Sequence, residues 1–101
     1  MTIGAAIRKR FPDRIPILLC GDKANEKFLA PAAMTVREFN ALIRQRMALP
    51  AEQALFLFVM TKEGSCIASA HGNLAVQYAS HKKEDDCLHM RYAGENTFGT
   101  I

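Results

Sequence analysis

An α+β domain, with one helix laid across a mixed four-stranded sheet, is the fold class that the sequence predicts, on three observations. The 101 residues fit a single compact domain and leave no room for a second. Short apolar runs bounded by Pro, Gly, Asp and Asn flank both halves of the chain, as strands are flanked by turns. Between them, residues 35–47 carry a clear helical period.

Taken in order, residues 2–10 have helical composition (Ala5, Ala6, Ile7, Arg8, Lys9, Arg10) but span too few turns to stay helical without docking. Residues 15–20 form a continuous apolar run with Pro16 near its start, which predicts a buried strand. Gly21, Asp22 and Asn25 supply turn chemistry, and residues 27–30 then alternate polar with apolar before Pro31 stops the ladder. This predicts a hairpin whose second strand lies at a sheet edge. Thr35 and Glu38 stand in capping-box relation at the start of the helix. Val36, Phe39, Leu42, Ile43 and Met47 line one face, Arg37, Arg44, Gln45 and Arg46 fall mostly elsewhere, and Pro50 ends the segment. Residues 54–60 (ALFLFVM) are apolar on both alternate sets, which predicts a strand covered on both faces or central in the sheet. Residues 62–64 read as a turn, 70–81 as a second, weaker helix around Leu74 and Tyr78, and 87–92 as the last strand, before the polar tail GENTFGTI. The order strand, strand, helix, strand, short helix, strand is that of a β-grasp domain. It divides the chain into a helical segment at 1–10, the β-grasp domain at 11–93 and a flexible tail at 94–101.

Composition narrows the function. Half the residues are hydrophobic and 23% are charged, the balance of a globular chain rather than a disordered one. A net charge of +3, without a clustered basic face, gives no reason to expect nucleic acid as a partner. The cysteines, Cys20, Cys66 and Cys87, are odd in number and widely spaced, which suggests neither zinc ribbon nor disulfide framework and fits a reducing interior. The first residues place an apolar stretch before their basic cluster, the reverse of a signal peptide, so the chain is expected to be soluble. No His-Glu-x-x-His, Gly-x-Ser-x-Gly or phosphate-binding glycine loop occurs, so no enzyme, catalytic residue or cofactor is expected. His71, His81 and His89 are irregularly spaced and read as surface or packing residues rather than metal ligands. Cys20 and Cys87 fall in predicted strands as small hydrophobes, and residues 82–86 mix both charges as a solvated connection does.

Several blocks nevertheless stand together: RFPDRIPI at 10–17, KFLAP at 27–31, MTVREF and IRQRM downstream, LPAEQALFLFV at 49–59 and YAGENTFG at 92–99. In this order, over nearly the whole chain, they resemble the autophagy-related-eight, or GABARAP, family of ubiquitin-like modifiers. The resemblance implies a ubiquitin-like β-grasp protein whose tail is cut by a cysteine protease between Gly99 and Thr100. The exposed Gly99 would then pass through activating and conjugating enzymes of the autophagy pathway to the amine of phosphatidylethanolamine. Glycine suits that role, since a residue without Cβ threads narrow clefts and leaves its acyl carbon open to attack. The protein would be cytoplasmic and become associated with the autophagosome membrane after conjugation. The resemblance also implies docking of receptor proteins through aromatic-x-x-aliphatic motifs added as a strand beside residues 27–30. The aromatic pocket would comprise Ile7, Pro16, Lys27 and Leu29; the aliphatic pocket would comprise Phe28, Ala30, Pro31, Met34, Phe39 and Leu42. Arg14 and Lys27 would attract acidic residues ahead of the aromatic. The chain departs from the family in its short N-terminal segment, in Asn25 where lysine is common and in Cys87 where a bulky aromatic is common. The short segment and the short hairpin loop look more like the sister modifier, autophagy-related twelve, which is joined to a protein lysine. A non-conjugating β-grasp binding module is the remaining alternative.

Overall fold

The computed structural model describes residues 1–21, 25–50, 53–68 and 72–95. Its elements are α1 (Ile3–Arg10), β1 (Arg14–Cys20), β2 (Asn25–Pro31), α2 (Val36–Arg46), β3 (Ala54–Thr61), β4 (Gly64–Ile67), α3 (Leu74–His81) and β5 (Leu88–Glu95). The strands form one mixed sheet in the order β2-β1-β5-β3-β4. β1 and β2 pair antiparallel from Arg14↔Pro31 to Cys20↔Asn25. β1 and β5 run parallel, with Ile17 opposite Leu88. β5 pairs antiparallel with β3 and β3 with β4, which leaves β2 and β4 at the two edges.

The sheet therefore has five strands, not the four expected. The added strand is β4, whose Gly-Ser-Cys-Ile sequence is exposed throughout and carries no apolar alternation to betray it. It exists because the chain reverses at Lys62 and Glu63. The Thr61 hydroxyl donates to the Gly64 carbonyl at 2.7 Å, and Gly64 adopts φ +123°, a conformation that residues with a Cβ rarely take. A Cβ there would meet nothing within 4 Å, so the glycine is needed for its backbone and not for space.

α2 begins where its cap begins. Thr35 Oγ1 accepts from the Glu38 N–H at 3.1 Å, and the Glu38 carboxylate accepts from the Thr35 N–H at 2.9 Å. Val36, Phe39 and Ile43 are buried against Ile15, Ile17 and Leu19 of β1, Leu88 and Met90 of β5, and Leu55, Leu57 and Val59 of β3. α3 adds Leu74 and Tyr78 to the same core. It starts at Leu74 rather than 70 because the Asn73 side chain caps it, accepting from the Val76 N–H at 2.8 Å. Residues 70 and 71 of the expected helix lie outside the described residues.

β3 departs from expectation in its burial. Leu55, Leu57 and Val59 are buried, while the alternate residue Phe56 is 39% exposed. α2 and α3 both contact β3, whereas α1 contacts β1, so the second face of β3 lacks the cover its apolar sequence suggested. The last strand begins at Leu88, with Cys87 buried just before it, and reaches Glu95. Among the described residues no helix is long and apolar enough to cross a membrane.

Candidate functional site

An edge strand leaves a row of main-chain donors and acceptors unpaired, and β2 is such a strand. Its side chains alternate between two faces. Phe28 and Ala30 turn toward α2 and the core, and Lys27 and Leu29 turn to the other face, opposite Leu18 and Pro16 of β1.

On that other face lies a cavity of about 340 Å³. α1 contributes Ile3 and Ile7, β1 contributes Pro16, Ile17 and Leu18, β2 contributes Lys27, Phe28 and Leu29, and Cys87 adds its thiol. Ile7, Pro16, Lys27 and Leu29, which the sequence suggested as one pocket, thus surround a single cavity. Four lining residues were not foreseen: Ile17 and Leu18, which flank Pro16 along β1, and Ile3 and Cys87. Ile3 lies four residues before Ile7 and so shares its helix face, a signal that helical spacing offers. Cys87 arrives through the parallel pairing of β5 with β1, which no local pattern reveals.

The α1 wall is held by an unusually close approach. Gly4 is buried, its N–H donates to the Asp85 carbonyl at 2.9 Å, and a Cβ in its place would sit 2.0 Å from the Asp86 carbonyl oxygen. Thr2 caps the helix by accepting from the Ala5 N–H at 3.1 Å, and its hydroxyl also donates to the Asp86 carboxylate. Arg8 donates to the carbonyls of Pro12 and Arg14, and its guanidinium stands 5.4 Å from the Tyr78 ring centre.

The loop that receives α1 is itself tied down. The Asp85 carboxylate meets His89 Nε2 at 2.8 Å and accepts from the Cys87 N–H at 3.0 Å. Burial pushes the Asp85 carboxyl up, but the hydrogen bonds from His89 and the Cys87 N–H, with the attraction of His89, outweigh it and hold the carboxyl below its ordinary value. The Cys87 thiol is raised by its own burial and by the Asp85 and Asp86 charges, against a smaller opposing pull from Lys27. Its environment thus disfavours the thiolate, the reverse of what a nucleophilic cysteine needs.

The second suggested set, Phe28, Ala30, Pro31, Met34, Phe39 and Leu42, lies along the seam between β2 and α2. Phe39 is fully buried and Ala30 is 3% exposed, so these two are core side chains beneath the seam. Phe28 meets Phe39 edge-on with ring centres 5.5 Å apart. Met34 is half-buried, while Pro31 and Leu42 are exposed. Arg46 crosses from α2 to β2, with Nε 2.9 Å from the Glu26 carboxylate and its guanidinium 5.2 Å from the Phe28 ring centre. At the opposite end of the seam, Arg14 donates to the Leu29 carbonyl at 3.2 Å, so cations stand at both ends of the edge.

A profile of the family described as "Autophagy protein Atg8 ubiquitin like" matches residues 2–99 of the chain. The chain belongs to the Atg8 family. Autophagy-related protein 8a of Arabidopsis thaliana is 36% identical over an alignment covering 100% of this chain and 85% of that protein. Autophagy-related protein 8 of Schizosaccharomyces pombe is 37% identical, over 94% of this chain and 81% of the relative. The crystal structure of Trypanosoma brucei ATG8 superposes with a TM-score of 0.79 at 34% identity, covering 91% of this chain and 82% of that one. This Atg8-family chain is thus a ubiquitin-like modifier of autophagy with the ubiquitin-like fold. Gly99 and Thr100, the residues expected to carry its tail chemistry, lie outside the described residues, as does His71. Among the described residues, no three His, Cys, Asp or Glu side chains group as a metal site requires.

Proposed function

We propose that this modifier is cut after Gly99 and joined through that glycine to phosphatidylethanolamine, and that it then holds receptor proteins at the membrane by adding their motifs to β2. The residues beyond Glu95, where β5 ends rather than at the expected 93, serve as the conjugation arm. Hydrolysis of the Gly99–Thr100 peptide bond by a cysteine protease releases the residues from Thr100 onward and leaves Gly99 with a free carboxyl. The Gly99 carboxyl, activated and carried by the pathway's enzymes, ends as an amide on the lipid's amine. The chain acts as the substrate of these enzymes and catalyses no step itself. It starts in the cytoplasm and moves to the autophagosomal membrane with its lipid.

The observation that carries the docking half is the meeting of Ile7, Pro16, Lys27 and Leu29 around one apolar cavity beside an unpaired strand edge. Main-chain hydrogen bonds to β2 supply affinity and the flanking side-chain sites supply selection. Lys27 and Arg14 favour acidic residues ahead of the motif's aromatic. On the α2 side, Phe28, Pro31, Met34 and Leu42, lying over the buried Ala30 and Phe39, form the surface met by the motif's other apolar residue.

Treatment with the matching protease should lower the intact mass by the residues from Thr100 onward, and Gly99→Ala should block conjugation while leaving the circular dichroism unchanged. A chain left uncut under conditions that trim a related modifier would exclude this route. An isopeptide to a partner's lysine, in place of a phospholipid adduct, would retain Gly99 as the linking residue and change the acceptor.

A further inference from the structure

The cavity between α1, β1 and β2 is apolar without relief. Its walls are Ile3, Ile7, Pro16, Leu18 and Leu29, and the remaining contributions include the Cys87 thiol and the Lys27 side chain. None of these side chains carries a carboxylate, amide, hydroxyl or imidazole. Lys27 is a donor with no acceptor atom, and a thiol is only a weak acceptor. The carbonyls along the outer edge of β2 are the groups that an added strand takes for its own backbone, and that of Leu29 already accepts from Arg14. A ring inserted here therefore finds apolar contact and a cation, and no strong acceptor.

Aromatic side chains differ in what they bring into such a space. Tryptophan carries a ring N–H that can only donate and that normally finds a partner when buried. Phenylalanine brings apolar surface alone, and its ring face attracts a cation such as the Lys27 ammonium. We infer that this cavity selects a phenylalanine side chain, on an extended acidic peptide lying along β2, and discriminates against tryptophan at the same position. The proposal rests on the reading of β2 as the docking edge, and it makes Ile3 and Lys27 the residues that set the choice. Ile3 is 57% exposed at the start of α1, where an acidic residue is compatible with the helix end and where the first turn has none.

The test is a titration of the full chain with two synthetic peptides that share one acidic-lead sequence and differ only in Phe or Trp at the aromatic position. The phenylalanine peptide should bind more tightly by about fivefold or more, the smallest effect expected of a buried donor left unpaired. Ile3→Glu brings a carboxylate to the cavity mouth and should move the ratio toward tryptophan, and Ile3→Leu should leave it unchanged. Lys27→Gln supplies an amide carbonyl from the opposite wall and should move the ratio the same way, which keeps the test decisive if Ile3→Glu does not fold. Equal or tighter binding of the tryptophan peptide by the unmodified chain would overturn the selectivity and leave β2 docking standing. So would a ratio that stays fixed in both acceptor-bearing variants. If neither peptide binds, the docking reading itself fails, and the inference with it.

Discussion

Phe39 and Leu42 lie one turn apart on the apolar stripe of α2 and meet different fates. Phe39 is fully buried and packs edge-on against Phe28, while Leu42 is 37% exposed at the margin of the stripe. The period of the sequence showed which face of the helix turns inward. It did not show how far that face is covered, because the cover comes from β1, β3 and β5. Phe39→Ala should cost about 3 to 5 kcal/mol in urea unfolding, and Leu42→Ala less than about 2 kcal/mol, since little is vacated around a side chain already open to water. The same Leu42 variant should weaken peptide binding clearly in titration calorimetry. Asp85 offers a pH test. Its folded-state carboxyl lies below the ordinary value of 3.8, so its contribution to stability is complete above that value and is lost as acid takes the pH down through the lowered one. Urea midpoints measured from pH 7 downward should fall in that window, and Asp85→Asn should fall less steeply there.

At the scale of elements, α1 is the part that the sequence could not explain alone. Eight residues are too few for an isolated helix, and the docking foreseen for it is supplied by a loop more than seventy-five residues away. Gly4 makes that docking possible by allowing backbone to touch backbone. Gly4→Ala should therefore free α1, remove Ile3 and Ile7 from the cavity and reduce peptide affinity. The sheet and α2 should remain folded, which amide hydrogen exchange can separate by showing lost protection in residues 3–10 alone. β4 marks the opposite limit of sequence reading. The hairpin of β1 with β2 and the capping box of α2 are short-range chemistry and were legible from Gly21, Pro31, Thr35 and Glu38. β4 has no apolar period to read, and it is a strand only because β3 offers a free edge next to a turn ending in Gly64.

The whole molecule shows why the cavity was legible in part. Ile7, Pro16, Lys27 and Leu29 came from resemblance to related sequences, block by block, whereas their convergence depends on β2 pairing with β1 in one register. A shift by one residue would turn Lys27 and Leu29 toward the core and Phe28 toward solvent. Cys87 reaches the same place only because β5 enters the centre of the sheet parallel to β1, a pairing between distant segments. The proposed docking surface and the residue proposed for conjugation thus belong to different parts of the chain, the first built by the sheet and the second beyond its last strand. The most direct test of that account is mass spectrometry of the adduct formed in cells, mapped by fragmentation. It should find the chain ending at Gly99 in an amide to phosphatidylethanolamine, with Gly99→Ala carrying no adduct. A chain that retains Thr100 and Ile101 while fully active, or an adduct attached through any other residue, would contradict it.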